Sequence, residues 1–235
     1  MTYTKRADGR KFDETRHIEA KVGIIKRADG SAYFKIGNTF AYASVYGPRN
    51  LHPKFLQDPQ RGILRANYNM LPFSGTGERV RPGGNRRSKE ISLVTEKALY
   101  PVLNLEEYPN SVVDVFIELP QTEAGSRCAG ICAASMALAD AGLIMRDLVS
   151  AVSVGKVDDK LVVDLDSSEE SYPAQVTDIP VAILPNLNVV TLLQMDGQIT
   201  QEELRKLLLM AQNACKKIYE IQKKALKERY VIEDA

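Results

Sequence analysis

The chain has 235 residues and a mass of 26.1 kDa, with 44% apolar and 26% charged residues. That composition suits one large domain or two small ones and excludes a disordered or collagen-like polymer. No apolar run approaches the ~18–20 residues of a membrane helix, and the polar start MTYTKRADGRKFDETRH has no apolar signal core.

Charge is uneven beneath a net +1. Between Arg49 and Lys89 nine cations stand against only Asp58 and Glu78, which gives this stretch +7. Such a segment in a near-neutral chain points to a focused anion site rather than to general nucleic-acid stickiness. A second block, Asp158 to Glu170, holds six acids against Lys160 and reads as a solvated loop. Three cysteines, Cys128, Cys132 and Cys215, cannot form a full disulfide framework, so a reducing, cytoplasmic setting is expected.

KRADG occurs at Lys5–Gly9 and at Lys26–Gly30, two Asp-Gly turns whose flanks do not repeat. The arms Ala32–Ile36 and Thr39–Tyr46 flank Gly37-Asn38, a two-residue hairpin turn. A Pro-, Gly- and Arg-rich segment over 47–87 follows, with the strand-like ILRANYNML inside it. From Ser88 the apolar period changes: Ile91, Val94, Ala98, Leu99 and Val102 predict an amphipathic helix ending near Pro101. VVDVFIEL (112–119) predicts a strand and CAGICAASMALADAG (128–142) a helix of small residues. Strands are predicted again in SAVSVGKV, KLVVDLD, IPVAILP and VVTLLQMDG. Thr200 and Glu203 form a capping box before a last helix with Leu204, Leu207, Leu208, Ala211, Cys215, Ile218, Ile221 and Ala225 on one face. The order βββ-α-β-α-ββββ-α is an α+β pattern, with helices packed on mixed sheets. No linker divides it, so residues 1–150 and 151–235 are expected as two interlocked halves, the first with an anion site, the second with the acidic loop and the last helix.

Familiar catalytic devices are missing. Two histidines, His17 and His52, make a zinc site and a Ser-His-Asp triad unsupported. Gly75-Thr-Gly77-Glu-Arg-Val80 lacks the third glycine and the strand-turn-helix setting of a dinucleotide loop. Two arrangements survive. Asn85-Arg86-Arg87-Ser88 sets two arginine forks just before a helix start, where free N–H groups add positive character. Glu123-Ala124-Gly125-Ser126-Arg127 joins a strand to the small-residue helix and combines backbone access, a hydroxyl and a guanidinium. Either alone is commonly a helix cap with a surface arginine; two in one chain suggest convergence on one anion. Carboxylates for proton or metal work would come from Glu169, Glu170 and Asp178, the last placed just before a strand.

These strings closely resemble the phosphorolytic subunits of the archaeal exosome, in the RNase PH family. The resemblance runs through RADGR (6–10), ADGSAYFKIGNT (28–39), VYGPRNLHPKFLQ (45–57), ILRANYNMLPFS (63–74), NRRSKEIS (85–92), EAGSRCAG (123–130), ADAGLIMRDLV (139–149) and LLQMDG (192–197). It implies the RNase PH fold, β-α-β units like the second domain of ribosomal protein S5. It also implies a heterohexameric ring with a related non-catalytic subunit, S1/KH-type cap proteins, and processive 3′→5′ phosphorolysis of RNA to nucleoside diphosphates. Inorganic phosphate would be co-substrate and Mg2+ would assist. By the same resemblance Gly125, Ser126 and Arg127 would bind phosphate, and Arg86 and Arg87 would hold the RNA backbone. Arg65 and Tyr68 would contact the RNA 3′ end, the tyrosine by stacking on a base. Asp178 matches the second of two aspartates set six apart in the family. The position six before it is Tyr172, so Glu170 is the candidate for the first carboxylate and, with Asp178, for the metal. If that loop fails to deliver Glu170, the chain would be a weak or silent ring member that only threads RNA. A homohexameric tRNA 3′-end trimming enzyme of the same family fits the strings less well.

Overall fold

The computed structural model describes residues 3–77 and 80–230. Glu78 and Arg79, part of the basic stretch and of the glycine motif, lie outside the described residues. Two sheets enclose a helical layer. The first contains β1 (Ile18–Val22), β2 (Gly30–Ile36), β3 (Thr39–Asn50), β4 (Ile63–Met70) and β5 (Ser111–Gln121) in the order β1-β2-β3-β5-β4. The expected hairpin is present, closed by the pairing of Ile36 with Thr39 across Gly37-Asn38. β4 and β5 are parallel. Parallel neighbours require a crossover, and the intervening chain supplies one in α1 (Arg86–Leu99).

The second sheet contains β6 (Ser150–Val157), β7 (Lys160–Val163), β8 (Val176–Leu184) and β9 (Val189–Leu193) in the order β7-β6-β8-β9, all antiparallel. Between β7 and β8 lies α3 (Ser167–Glu170), a single turn held by an Asp166–Glu169 capping box. β1 and α3 are elements that apolar periodicity does not announce. β1 is a half-buried edge strand with Glu19 and Lys21 on it, and α3 has no apolar face.

α2 (Ser126–Asp140) lies between the sheets, packed on β2, β3 and β5 on one side and on β6 on the other. Its alanines and glycine explain how: an added Cβ at Gly130 would already sit 3.3 Å from Ile117 and 3.5 Å from the Tyr68 ring. α1 buries Ile91, Thr95, Ala98 and Leu99 against the neighbouring β4. Removing a side chain such as Ile91 from this contact costs about 2–5 kcal/mol. α4 (Gln201–Arg229) begins at the expected Thr200–Glu203 box and packs against β6 and β1. Its stripe holds one polar residue, Gln222, fully buried but satisfied: it accepts from Ser150 and donates to the carbonyls of Cys132 and Val149. The three cysteines are free and buried, and burial pushes the Cys132 thiol up to about 12. They are packing residues.

The acidic block is not a solvated loop. Asp164, Asp166 and Glu169 are buried. Glu169 takes a two-pronged ion pair from the fully buried Arg6 at 2.8 Å, and Asp164 takes one from Arg16 at 2.7 and 2.9 Å. Arg6, within the segment read as a turn, and Arg16 beyond it supply these partners. A buried carboxylate survives only when so paired.

Candidate active site

Asn85 caps α1 through its side chain, with Ser88 returning the bond, so Arg86 and Arg87 are the first two residues of the helix rather than the two before it. α2 starts differently. Its cap is Gly125, at φ +65° in the left-handed region, and no side chain caps the first turn. The N–H groups of that turn therefore remain available to an anion. Thr39 fixes the turn by donating to the Ala124 carbonyl at 2.8 Å and accepting from the Glu123 N–H at 2.9 Å. Arg16 adds a bond to the same carbonyl at 3.2 Å while gripping Asp164. The turn is thereby tied to the chain that leads into α3.

The two arginine-bearing turns meet. Arg87, Gly125, Ser126 and Arg127 line one small cavity of about 70 Å3, closed on its other side by Ser153, Glu170 and Asp178. Its volume is several times the roughly 10–15 Å3 a single water requires on the same measure, room enough for one tetrahedral anion. It opens beside a cleft of about 930 Å3 lined by Arg86, Arg87 and Arg127 and by Glu90, Glu170, Asp178 and Asp196. Three cations and four carboxylates share this cleft, so the anion site expected from the basic stretch also has the acidic groups looked for in Glu170 and Asp178.

Three of the four carboxylates come from the second sheet and its connections, and Glu90 comes from α1. Asp178 lies within β8, opposite Gly155, not ahead of a strand. It accepts from the Ser153 hydroxyl, and its backbone exchanges two 2.9 Å bonds with Asp196. Burial raises its pKa; the Ser153 bond and Arg127 oppose the rise, and Asp196 adds to it. Glu170, at the end of α3, keeps contact with solvent. Even so, desolvation by the cleft walls, followed by repulsion from Asp178, pushes its carboxyl up to about 7. The loop that lacks the expected aspartate thus delivers a carboxylate beside Asp178.

Tyr68 is a correction, and Arg65 stands apart from the cleft. Three residues apart on a strand, they leave opposite faces of the sheet. Arg65 is exposed, outside the cleft, and forked onto Asp114 at 2.7 and 2.9 Å. Tyr68 is 1% exposed and bonded through its hydroxyl to Ser126, so no base can stack on it.

Against known families, the model of domain 1 of the 3′ exoribonuclease family, RNase PH, matches residues 14–143, and that of domain 2 matches residues 147–214. The chain belongs to the RNase PH family. "Exosome complex component Rrp41" of Pyrococcus furiosus is 52% identical over 227 residues, spanning 97% of this chain and 90% of that protein. The protein of the same name from Methanopyrus kandleri is 49% identical over 225 residues, spanning 96% and 93%. Among solved structures, rice (Oryza sativa) Rrp46 superposes with a TM-score of 0.83 at 21% identity, covering 94% of this chain and 100% of that one, a likeness of fold. The Archaeoglobus fulgidus exosome with RNA bound to the active site gives 0.77 at 25% identity, covering 92% of each chain. The RNase PH fold expected from the strings is the fold observed.

Sequence reasoning did not single out several residues of this cleft. Gln194 accepts from Arg127 and, with Glu90 3.8 Å from the same guanidinium, holds it across the cleft. Met195 and Asp196 follow in the cleft wall. The string LLQMDG contains three of these four, but only the backbone bonds that tie Gln194 to Pro180 and Asp196 to Asp178, beyond the end of β9, place them at the cleft.

Proposed function

We propose that this chain is the catalytic ring subunit of an exosome, shortening RNA from its 3′ end by phosphorolysis. One observation carries the reading: Arg87 and the Gly125–Arg127 turn line a single anion-sized cavity faced by Glu170 and Asp178. Phosphorolysis must bring two anions together, and fixed cations offset their repulsion without any water-activating histidine. Inorganic phosphate would occupy the small cavity, with the RNA backbone along Arg86 and Arg87 in the adjoining cleft. An oxygen of the phosphate attacks the terminal phosphodiester, the bond to the neighbouring 3′-oxygen breaks, and the last nucleotide leaves as a diphosphate. Asp178, held by Ser153 next to Arg127 with its pKa raised, is placed to give that 3′-oxygen its proton.

Magnesium fits the acidic side. Four carboxylates in one cleft repel a polyanion, and Mg2+ is commonly bound by one or two carboxylates plus substrate phosphates. Glu170 and Asp178 would hold it, and the ion would supply neutralisation of phosphate oxygens; for Asp178 this is the alternative to proton donation, since one carboxyl cannot both carry the proton and ligate the ion. The delivery of Glu170 to Asp178 favours this catalytic reading over a ring member that only threads RNA. The names of the relatives favour the exosome over tRNA trimming.

The test is product analysis with the chain assembled with its ring partners. RNA shortening should require inorganic phosphate and yield nucleoside diphosphates. Monophosphates released without phosphate would overturn the reading.

A further inference from the structure

Tyr68 loses its role as a stacking platform and gains another. It sits on β4 beneath the small cavity and touches both helices whose first turns line it. Its backbone N–H donates to Ser92 of α1 at 2.9 Å, and its hydroxyl pairs with Ser126 of α2 at 2.9 Å. The ring lies against the bare Gly130 of α2. Arg87 and Arg127, the two arginines that line the small cavity, both act electrostatically on the phenol.

The chemistry lies in the direction of the hydroxyl pair. A phenol is a stronger donor and a weaker acceptor than an aliphatic hydroxyl, so Tyr68 donates and Ser126 accepts. Serine has one proton to give and two lone pairs. With a lone pair engaged behind it, and no other partner for its oxygen among the described residues, the Ser126 proton is left to point into the cavity. A donated bond also polarises the hydroxyl and strengthens the bond it makes in turn.

We infer that Tyr68 is a positioning residue for phosphate binding, acting through Ser126 by fixing that hydroxyl as a donor to one phosphate oxygen. The inference rests on the reading of the cavity as the phosphate site. It also explains why an aromatic residue with a hydroxyl, rather than phenylalanine, stands at a fully buried position of the sheet.

The test is a kinetic cycle on the chain assembled with its ring partners, varying inorganic phosphate. Tyr68→Phe keeps the ring against Gly130 and removes only the donor. It should raise KM for phosphate about 3–10-fold, the worth of one lost hydrogen bond, with a smaller change in kcat and RNA affinity retained. Ser126→Ala should give a comparable rise, and Tyr68→Phe added to Ser126→Ala should raise KM no further. An unchanged KM in Tyr68→Phe, a change confined to kcat or to melting temperature, or effects that multiply in the double variant would each overturn the inference. If the unaltered complex shortens RNA without phosphate, it is instead the reading of the cavity that fails.

Discussion

The cationic side of the cleft hangs from the first turns of two helices, whereas the acidic side rests on β8, its backbone bridge to Asp196, and the one-turn α3. Arg86 and Arg87 are exposed, and local capping by Asn85 and Ser88 is enough to place them. Glu170 depends on long-range bonds: its neighbour Glu169 is pinned by Arg6, 163 residues away in the chain. Arg86 and Arg87 can therefore be lost at little cost to the fold, and under the proposed function at a large cost to binding. The acids are held against their own preference, as the raised pKa values of Glu170 and Asp178 indicate. Their presence stores a stability cost at the place where chemistry needs charge.

Substitutions on the two sides should therefore differ in kind. The largest effect is expected from Asp178→Asn, which should lower kcat about 10²–10⁴-fold while RNA affinity, measured by anisotropy, stays within twofold. Unimpaired turnover would remove Asp178 from the reaction. Next comes Arg86→Ala with Arg87→Ala. Single-stranded binding loses about 0.7 in its logarithmic salt slope per phosphate contact, so two lost contacts should flatten the slope by about 1.4. An unchanged slope would make both ordinary surface residues.

The smallest effect separates the acidic side most cleanly. Glu170 rises from an ordinary 4.5 to about 7 in the fold. The stability tied to its protonated form is complete below 4.5 and is lost as pH climbs through about 7. Glu170→Gln should thus leave the melting temperature unchanged at pH 4 and raise it by about 2 °C at pH 8, allowing for the solvent contact of this group. A fall at pH 8 would show that Glu170 is held favourably, and the contrast between the two sides would disappear.

Much of the fold could be read from local signals. The hairpin, α1, α2, α4 and the strands from β4 onward follow from turn chemistry, capping boxes and apolar period, all of which act within a few residues. The arginine-bearing turns were equally readable, because a helix start is a local event. What escaped the sequence depends on partners distant in the chain. The burial of Asp164 and Glu169 becomes visible only once Arg16 and Arg6 are placed beside them. Strand parity alone separates Arg65 from Tyr68, although it takes the pairing with β5 to show which of the two faces the core. α3 did leave a trace, since Asp166 and Glu169 have the spacing of a capping box, but no apolar stripe accompanies it.

The central claim is that Arg87 and Arg127, 40 residues apart, face the same small anion. A double-mutant cycle on KM for inorganic phosphate tests it most directly, using Arg87→Ala, Arg127→Ala and the pair in the assembled ring. Convergence predicts that each single change raises KM and that the pair raises it by a factor clearly different from the product of the two. Independent, strictly multiplying effects, or an Arg87→Ala variant that alters RNA binding alone, would contradict it.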